Sequence, residues 1–224
     1  MNLEIIKLSV LICLAGVLCK VYDDLNDNDL FETDFLKKKK EYINEFLKGM
    51  HYILLTYVSS FYIYPVVFIT IMNALIIIVD KDAFKPYETS GLYCFILFTI
   101  FLLFTKYSQL CGIYKYIIMS LLVSVVGAYI MDNIFCKHIE FGYKKLFIRA
   151  FIIMIITPVL ILNNYFHFFP DDLILCIWYI FGYMLTSCIF QIFLIMKFNN
   201  NIETTKVQIE PKEKNETKEE TETN

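Results

Sequence analysis

Residues 41–79 read EYINEFLKGMHYILLTYVSSFYIYPVVFITIMNALIIIV, with Glu45 and Lys48 near the start and Pro65 past the middle. The apolar part is longer than the roughly 20 residues that one helix needs to cross a hydrocarbon core of about 30 Å. How this stretch divides fixes the topology of the whole chain. As a single span kinked at Pro65 it gives six spans in all; as two helices over 42–62 and 65–79 it gives seven. Proline lacks an amide hydrogen and disfavours helix in the residue before it, so Tyr64-Pro65 is the expected break.

Charge arbitrates between the two readings, because Lys and Arg of short loops gather on the cytoplasmic side. The other spans are expected at 8–18, 92–105, 112–131, 147–163 and 173–196. With six spans, the basic residues outside the tail divide eight against eight. With seven, thirteen share one side, and only Lys7, Lys106 and Lys115 lie opposite. The seven-span reading is therefore expected, with the first helix of the pair starting in the membrane interface to accommodate Glu45 and Lys48.

Composition agrees with a membrane protein. The 224 residues are 58% hydrophobic, with a mean hydropathy of +0.56, too apolar for an ordinary water-soluble core. Charged residues gather at 20–48, 80–88, 132–149 and 197–224, leaving long apolar stretches between them. A net charge of −3 with no basic stripe excludes nucleic acid as a partner, and 21 Phe with 16 Tyr exclude extensive disorder. Cys13, Cys94, Cys111, Cys176 and Cys188 sit in apolar runs as small hydrophobes, so no disulfide framework is indicated. The expected fold is an all-α, polytopic transmembrane bundle over residues 1–198, embedded in a lipid bilayer, followed by a disordered cytoplasmic tail over 199–224. The sequon Asn215-Glu216-Thr217 in that tail would not meet the lumen.

The apolar run 8–18 follows Lys7 and carries Ala15 and Gly16, which gives it some character of a cleaved signal peptide. Cleavage would send Lys37, Lys38, Lys39 and Lys40 to the non-cytoplasmic side, so an uncut first span is expected.

Two span ends are dense in carboxylates. The first cluster, 23–29, reads Asp23-Asp24-Leu25-Asn26-Asp27-Asn28-Asp29 and contains DDxxD. On a helix Asp23 and Asp27 lie one turn apart on one face, where their oxygens suit a hard cation such as Mg²⁺. A solvated loop after a helix has the same composition, whereas an EF-hand calcium loop lacks its Gly and its final Glu here. The second cluster, 132–149, holds Asp132, Cys136, His138, Glu140, Lys144, Lys145 and Arg149. Helical spacing puts Asp132, Cys136 and Glu140 on one face; zinc is disfavoured, because His138 points away from that face and a fourth ligand is missing. The alternative is a charged loop that stops a span. In the seven-span reading four passes separate the clusters, so both emerge on the cytoplasmic face.

With that geometry the chain resembles a shortened, divergent member of the UbiA-type intramembrane prenyltransferase superfamily, over residues 8–197. Residues 15–27, AGVLCKVYDDLND, resemble the first motif NDxxDxxxD; Asp23 and Asp27 match its later aspartates, while Cys19 and Lys20 stand at the initial Asn-Asp pair. Asp132, Glu140 and Gly142-Tyr143-Lys144-Lys145-Leu146 resemble the second motif, with Cys136 in place of an acid. The Asp132, Cys136, Glu140 spacing is also similar to the second metal motif of class I terpene synthases. The resemblance implies an isoprenyl diphosphate substrate and Mg²⁺ held by Asp23, Asp27, Asp132 and Glu140, with Lys85, Lys144, Lys145 and Arg149 on the diphosphate. It further implies prenyl transfer to an acceptor, or cyclisation, inside the membrane.

The rival class is a non-catalytic polytopic protein, either an organiser whose acidic loop and tail recruit partners or a small transporter. Transport is the weaker of these, because Asn73 and Gln191 are the main polar residues in the later spans.

Overall fold

The structure is a computed structural model that describes the backbone of residues 3–27, 34–79, 86–106, 121 and 141–219, and side chains over most of that range. The described residues form helices and no strand: α1 (Leu3–Asp27), α2 (Asp34–Ser59), α3 (Ile63–Val79), α4 (Pro86–Thr105), α5 (Phe141–Phe166) and α6 (Asp171–Glu219). Among the described residues, three segments are long and apolar enough to cross a membrane: Leu3–Leu25, Leu146–Phe166 and Asp171–Met196. Ile63–Ile78 and Leu92–Thr105 are apolar but shorter. Of the expected span at 112–131, residue 121 alone is among the described residues.

Two compact units divide the chain, Met1–Cys188 and Ile189–Asn224. In the second, helical backbone continues to Glu219.

Within the first unit the core follows from helical spacing. On α1, Ile5, Leu8, Ile12, Ala15, Cys19 and Tyr22 recur every three or four residues and are all buried. On α2, Asn44, Lys48, His51, Leu55 and Val58 keep the same rhythm and are buried, whereas Tyr42, Phe46, Ile53 and Tyr57 are exposed. The α2 stripe is half polar, an unusual choice for a core face. On α3 the consecutive residues Val66, Val67, Phe68, Ile69 and Thr70 are all buried, so the first part of this helix is covered all round, while Ile78 near its end is exposed. Thr99 of α4 donates to Thr70 across the α3–α4 contact at 3.1 Å.

Residues 41–79 do divide into two helices, but not at Tyr64-Pro65. The break occupies residues 60–62, and Pro65 sits inside the first turn of α3. The reason is that the first-turn amides of a helix have no intrahelical partner, so proline's missing hydrogen costs nothing there. The turn is closed by α2 itself: Ser60 and Phe61 amides donate to the carbonyls of Tyr57 and Val58 at 3.1 Å each, and Tyr62 donates to Val58 at 2.9 Å. Side-chain hydroxyl donation from Ser59 to the Thr56 carbonyl, at 2.7 Å, finishes the helix.

The α5–α6 connection is built from a similar set of local bonds. His167 has a positive φ of 52°, the left-handed conformation common just past a helix end. Its amide donates to the Asn163 carbonyl at 2.9 Å, while the Asn163 side chain accepts from the Phe169 amide at 2.8 Å. The Tyr62 hydroxyl donates to Asp171 at 3.2 Å, so the α2–α3 turn and the start of α6 share one end of the unit.

Backbone meets backbone where α1 crosses α6. A methyl group added at Gly16 would overlap the Tyr179 carbonyl oxygen, and one added at Gly182 would overlap the Cys13 carbonyl oxygen. Each helix places a glycine against the other, the close approach that small residues permit between membrane helices.

Candidate functional site

The acidic end of α1 is organised around Lys20. Its ammonium pairs with Asp23 Oδ2 and lies 3.0 Å from Asp24 Oδ1. The local sequence dictates this, since residues three and four apart on a helix are neighbours, and long side chains can meet along that face. Lys20 is 5% exposed and Asp24 6%, so that pair sits inside the fold, while Asp23 is half-buried. The α6 residue Tyr183 completes the shell: the Lys20 ammonium stands 5.4 Å from its ring centroid, and its hydroxyl donates to Asp23 Oδ2 at 3.4 Å. From α5, Arg149 acts electrostatically on Asp24 and donates to the Ser187 carbonyl of α6 at 3.2 Å.

Of the residues singled out in the sequence, Asp23 and Arg149 are therefore brought to the same region, one from each polar cluster. Asp27 is the last residue of α1, and Lys144 and Lys145 lie in the first turn of α5; the side chains of all three are outside the described residues. Lys85, Asp132 and Glu140 lie outside them altogether.

Sequence reasoning missed the partners. Lys20 entered only as a charge in the topology count and as a mismatch in a motif, although its spacing to Asp23 and Asp24 already marks an ion pair. Asp24 was passed over in favour of Asp23 and Asp27. Tyr183 is 160 residues from Asp23 and carries no local signal.

A second polar group lies deeper between α1, α2, α3 and α6. Asn73 donates its amide to the Tyr179 hydroxyl at 2.7 Å. The Cys19 thiol interacts with the Tyr179 hydroxyl and stands 3.2 Å from that of Tyr22. His51, with no exposed surface, places Nδ1 2.9 Å from the Ala15 carbonyl. A carbonyl only accepts, so Nδ1 carries the hydrogen and Nε2 is left with a lone pair. That Nε2 is buried without a hydrogen-bond partner, and Tyr22, Tyr52, Phe95 and Tyr179 surround the ring at 5.2–6.2 Å between centroids. Leaving such an atom unsatisfied costs about 1–3 kcal/mol.

The chemistry of the α1 end follows from charge. Both described carboxylates there already direct an oxygen to an internal ammonium, and among the described residues there is no group of three or more His, Cys, Asp or Glu side chains arranged to hold a metal. The cluster joins α1 to α6 through Tyr183. Comparison with protein-family models, with curated proteins and with solved structures gives no match for this chain.

Proposed function

We propose that the chain is a non-catalytic, multi-pass membrane protein, an organiser whose charged segments recruit partners on the cytoplasmic face. The observation that carries this reading is the Lys20 ammonium held between Asp23 and Asp24, a self-contained ionic cluster that joins helices instead of leaving carboxylates open to a metal. Seven spans remain the topology of choice. In its support, the hydrogen bond from Tyr62 to Asp171 puts the α2–α3 turn and the α5–α6 loop at one end, as a hairpin over 42–79 requires.

The second reading is Mg²⁺-dependent intramembrane prenyl transfer or cyclisation of an isoprenyl diphosphate, in the manner of UbiA-type enzymes. What favours it is that Arg149, from the second cluster, acts electrostatically on Asp24 in the first. Under this reading Asp27, Asp132 and Glu140 would carry any metal.

Diphosphate release from radiolabelled farnesyl or geranylgeranyl diphosphate by the purified protein separates the two. The organiser reading expects the same background release with and without Mg²⁺, from the wild type and from Asp27→Ala alike. Mg²⁺-dependent release that disappears in Asp27→Ala would establish the enzyme instead.

A further inference from the structure

We infer that the turn between α5 and α6 is a membrane anchor, in which Tyr165, Phe166, Phe168 and Phe169 lie at the boundary between the headgroups and the acyl chains of a zwitterionic phospholipid leaflet. Chain length carries the argument. The α5 span, Leu146–Phe166, has 21 residues, about 31 Å of helix, and a hydrocarbon core of about 30 Å takes up all of it. Residues 167–170 then lead to the α6 span, which starts at Asp171. Fully extended, four residues reach about 13 Å, so a connection that leaves the core and returns to it rises no more than about 7 Å. The headgroup layer on each side of the core is about 5–7 Å deep. The turn ends within that layer, and lipid is what covers its side chains.

Those side chains suit the layer. Within the protein Tyr165 is 74% exposed, Phe168 67%, Phe166 62% and Phe169 40%, and the Phe166 and Phe168 rings stack with centroids 5.3 Å apart. Tyrosine collects at membrane–water boundaries, and phenylalanine is common on the lipid-facing side of interfacial segments. The backbone is prepared as well. Where water is scarce, a loop amide needs a partner in the protein. Asn163, itself buried, supplies two: its carbonyl takes the His167 amide at 2.9 Å and its side chain the Phe169 amide at 2.8 Å. Pro170 has no amide to satisfy. At the same end the α2–α3 turn, joined to α6 by the bond from Tyr62 to Asp171, exposes Phe61 and the neighbouring Tyr57. Two turns therefore add to one aromatic belt. Neither holds a lysine or arginine, and Asp171 and Asp172 follow the second directly, so the contact is apolar and owes nothing to anionic lipid.

This inference rests on the multi-pass reading above, and the two fail differently. A chain that does not span leaves the vesicles on alkaline extraction, whereas a spanning chain whose turn stands in water stays in them. The test uses the full-length protein in phosphatidylcholine vesicles, with Trp178→Phe and Phe168→Trp combined so that a single tryptophan reports from the turn. Its emission is expected to lie to the blue of an aqueous indole and to be unchanged by added phosphatidylglycerol or salt. Lipids brominated near the glycerol end of the acyl chain should quench it more than lipids brominated near the methyl end. Emission at the aqueous position without quenching by either lipid overturns the inference, as does stronger quenching from the methyl end. So does a blue shift that needs phosphatidylglycerol, or one that is lost when the protein is diluted in lipid, which would put a second copy on the turn. The wild type gives a second reading that needs no substitution. Hydroxyl radicals generated in the water should oxidise Tyr165 and Phe168 several-fold less in nanodiscs than in a free peptide of residues 163–172, and equal oxidation rejects the anchor.

Discussion

Lys20 and Asp24 show how a buried charge pair divides its cost. Separating either charge from water is expensive, and only the mutual attraction in a low-dielectric interior compensates. Removing one partner is therefore far worse than removing both. Lys20→Met should destabilise the fold by about 3–5 kcal/mol, whereas Lys20→Met combined with Asp24→Leu should recover most of that loss. Unfolding in mixed micelles, followed by circular dichroism, gives both values. A double variant no more stable than Lys20→Met would mean that the pair is not what holds α1 in place. Asn73 and Tyr179 offer a neutral comparison. Tyr179→Phe removes an acceptor from a buried amide and should cost about 1–3 kcal/mol, with the additional loss from Asn73→Leu much smaller in the double variant than in the wild type.

Among the elements, α1 and α6 depend on each other most directly, since Gly16 and Gly182 each press on the opposite backbone. A carbonyl oxygen in a helix cannot swing aside as a side chain does, so the helices themselves must part. Gly16→Ala and Gly182→Ala should each cost about 1–3 kcal/mol, as overpacking does, despite alanine's better helix propensity. An increase in stability in either variant would show that the crossing is looser than the backbone contact requires. Pro65 makes the opposite case. It lies in the first turn of α3, so its ring costs the helix no hydrogen bond, and Pro65→Ala should lose only the packing of a buried ring, about 1–2 kcal/mol; a larger loss would mean that the ring itself sets the turn.

For the whole molecule, the expected topology puts Ser60 and Phe168 on one side of the membrane and Asn28 on the other. Single cysteines at these positions, on a background with the native thiols replaced, should label accordingly in sealed vesicles. Ser60 and Phe168 labelling from opposite sides would overturn the hairpin reading. How far the sequence revealed this structure depended on the range of each signal. The division of 41–79 was legible, because excess apolar length acts within one segment. Placement of the break at proline was misleading, since proline is a poor residue inside a helix and a good one at its start. Lys20 was legible too, at three and four residues from its partners. His51 and Tyr179 were not: what defines them is contact with Ala15, 36 residues away, and with Asn73, 106 residues away. No local pattern encodes which buried imidazole will face a carbonyl on another helix.

The Tyr183–Asp23 contact also has a bearing on how the chain is made. At about 5–20 residues per second, the 160 residues between them take roughly 10–30 s to emerge from the ribosome. Under the expected topology, α1 sits in the translocon or the lipid throughout that interval with neither Tyr183 nor the Gly182 surface available. A helix bearing bare aspartates would be a poor candidate for insertion during such a wait. Because Lys20 lies on the same helix, its ammonium is synthesised before the carboxylates it neutralises, and α1 carries its own counter-charge from the moment it leaves the exit tunnel.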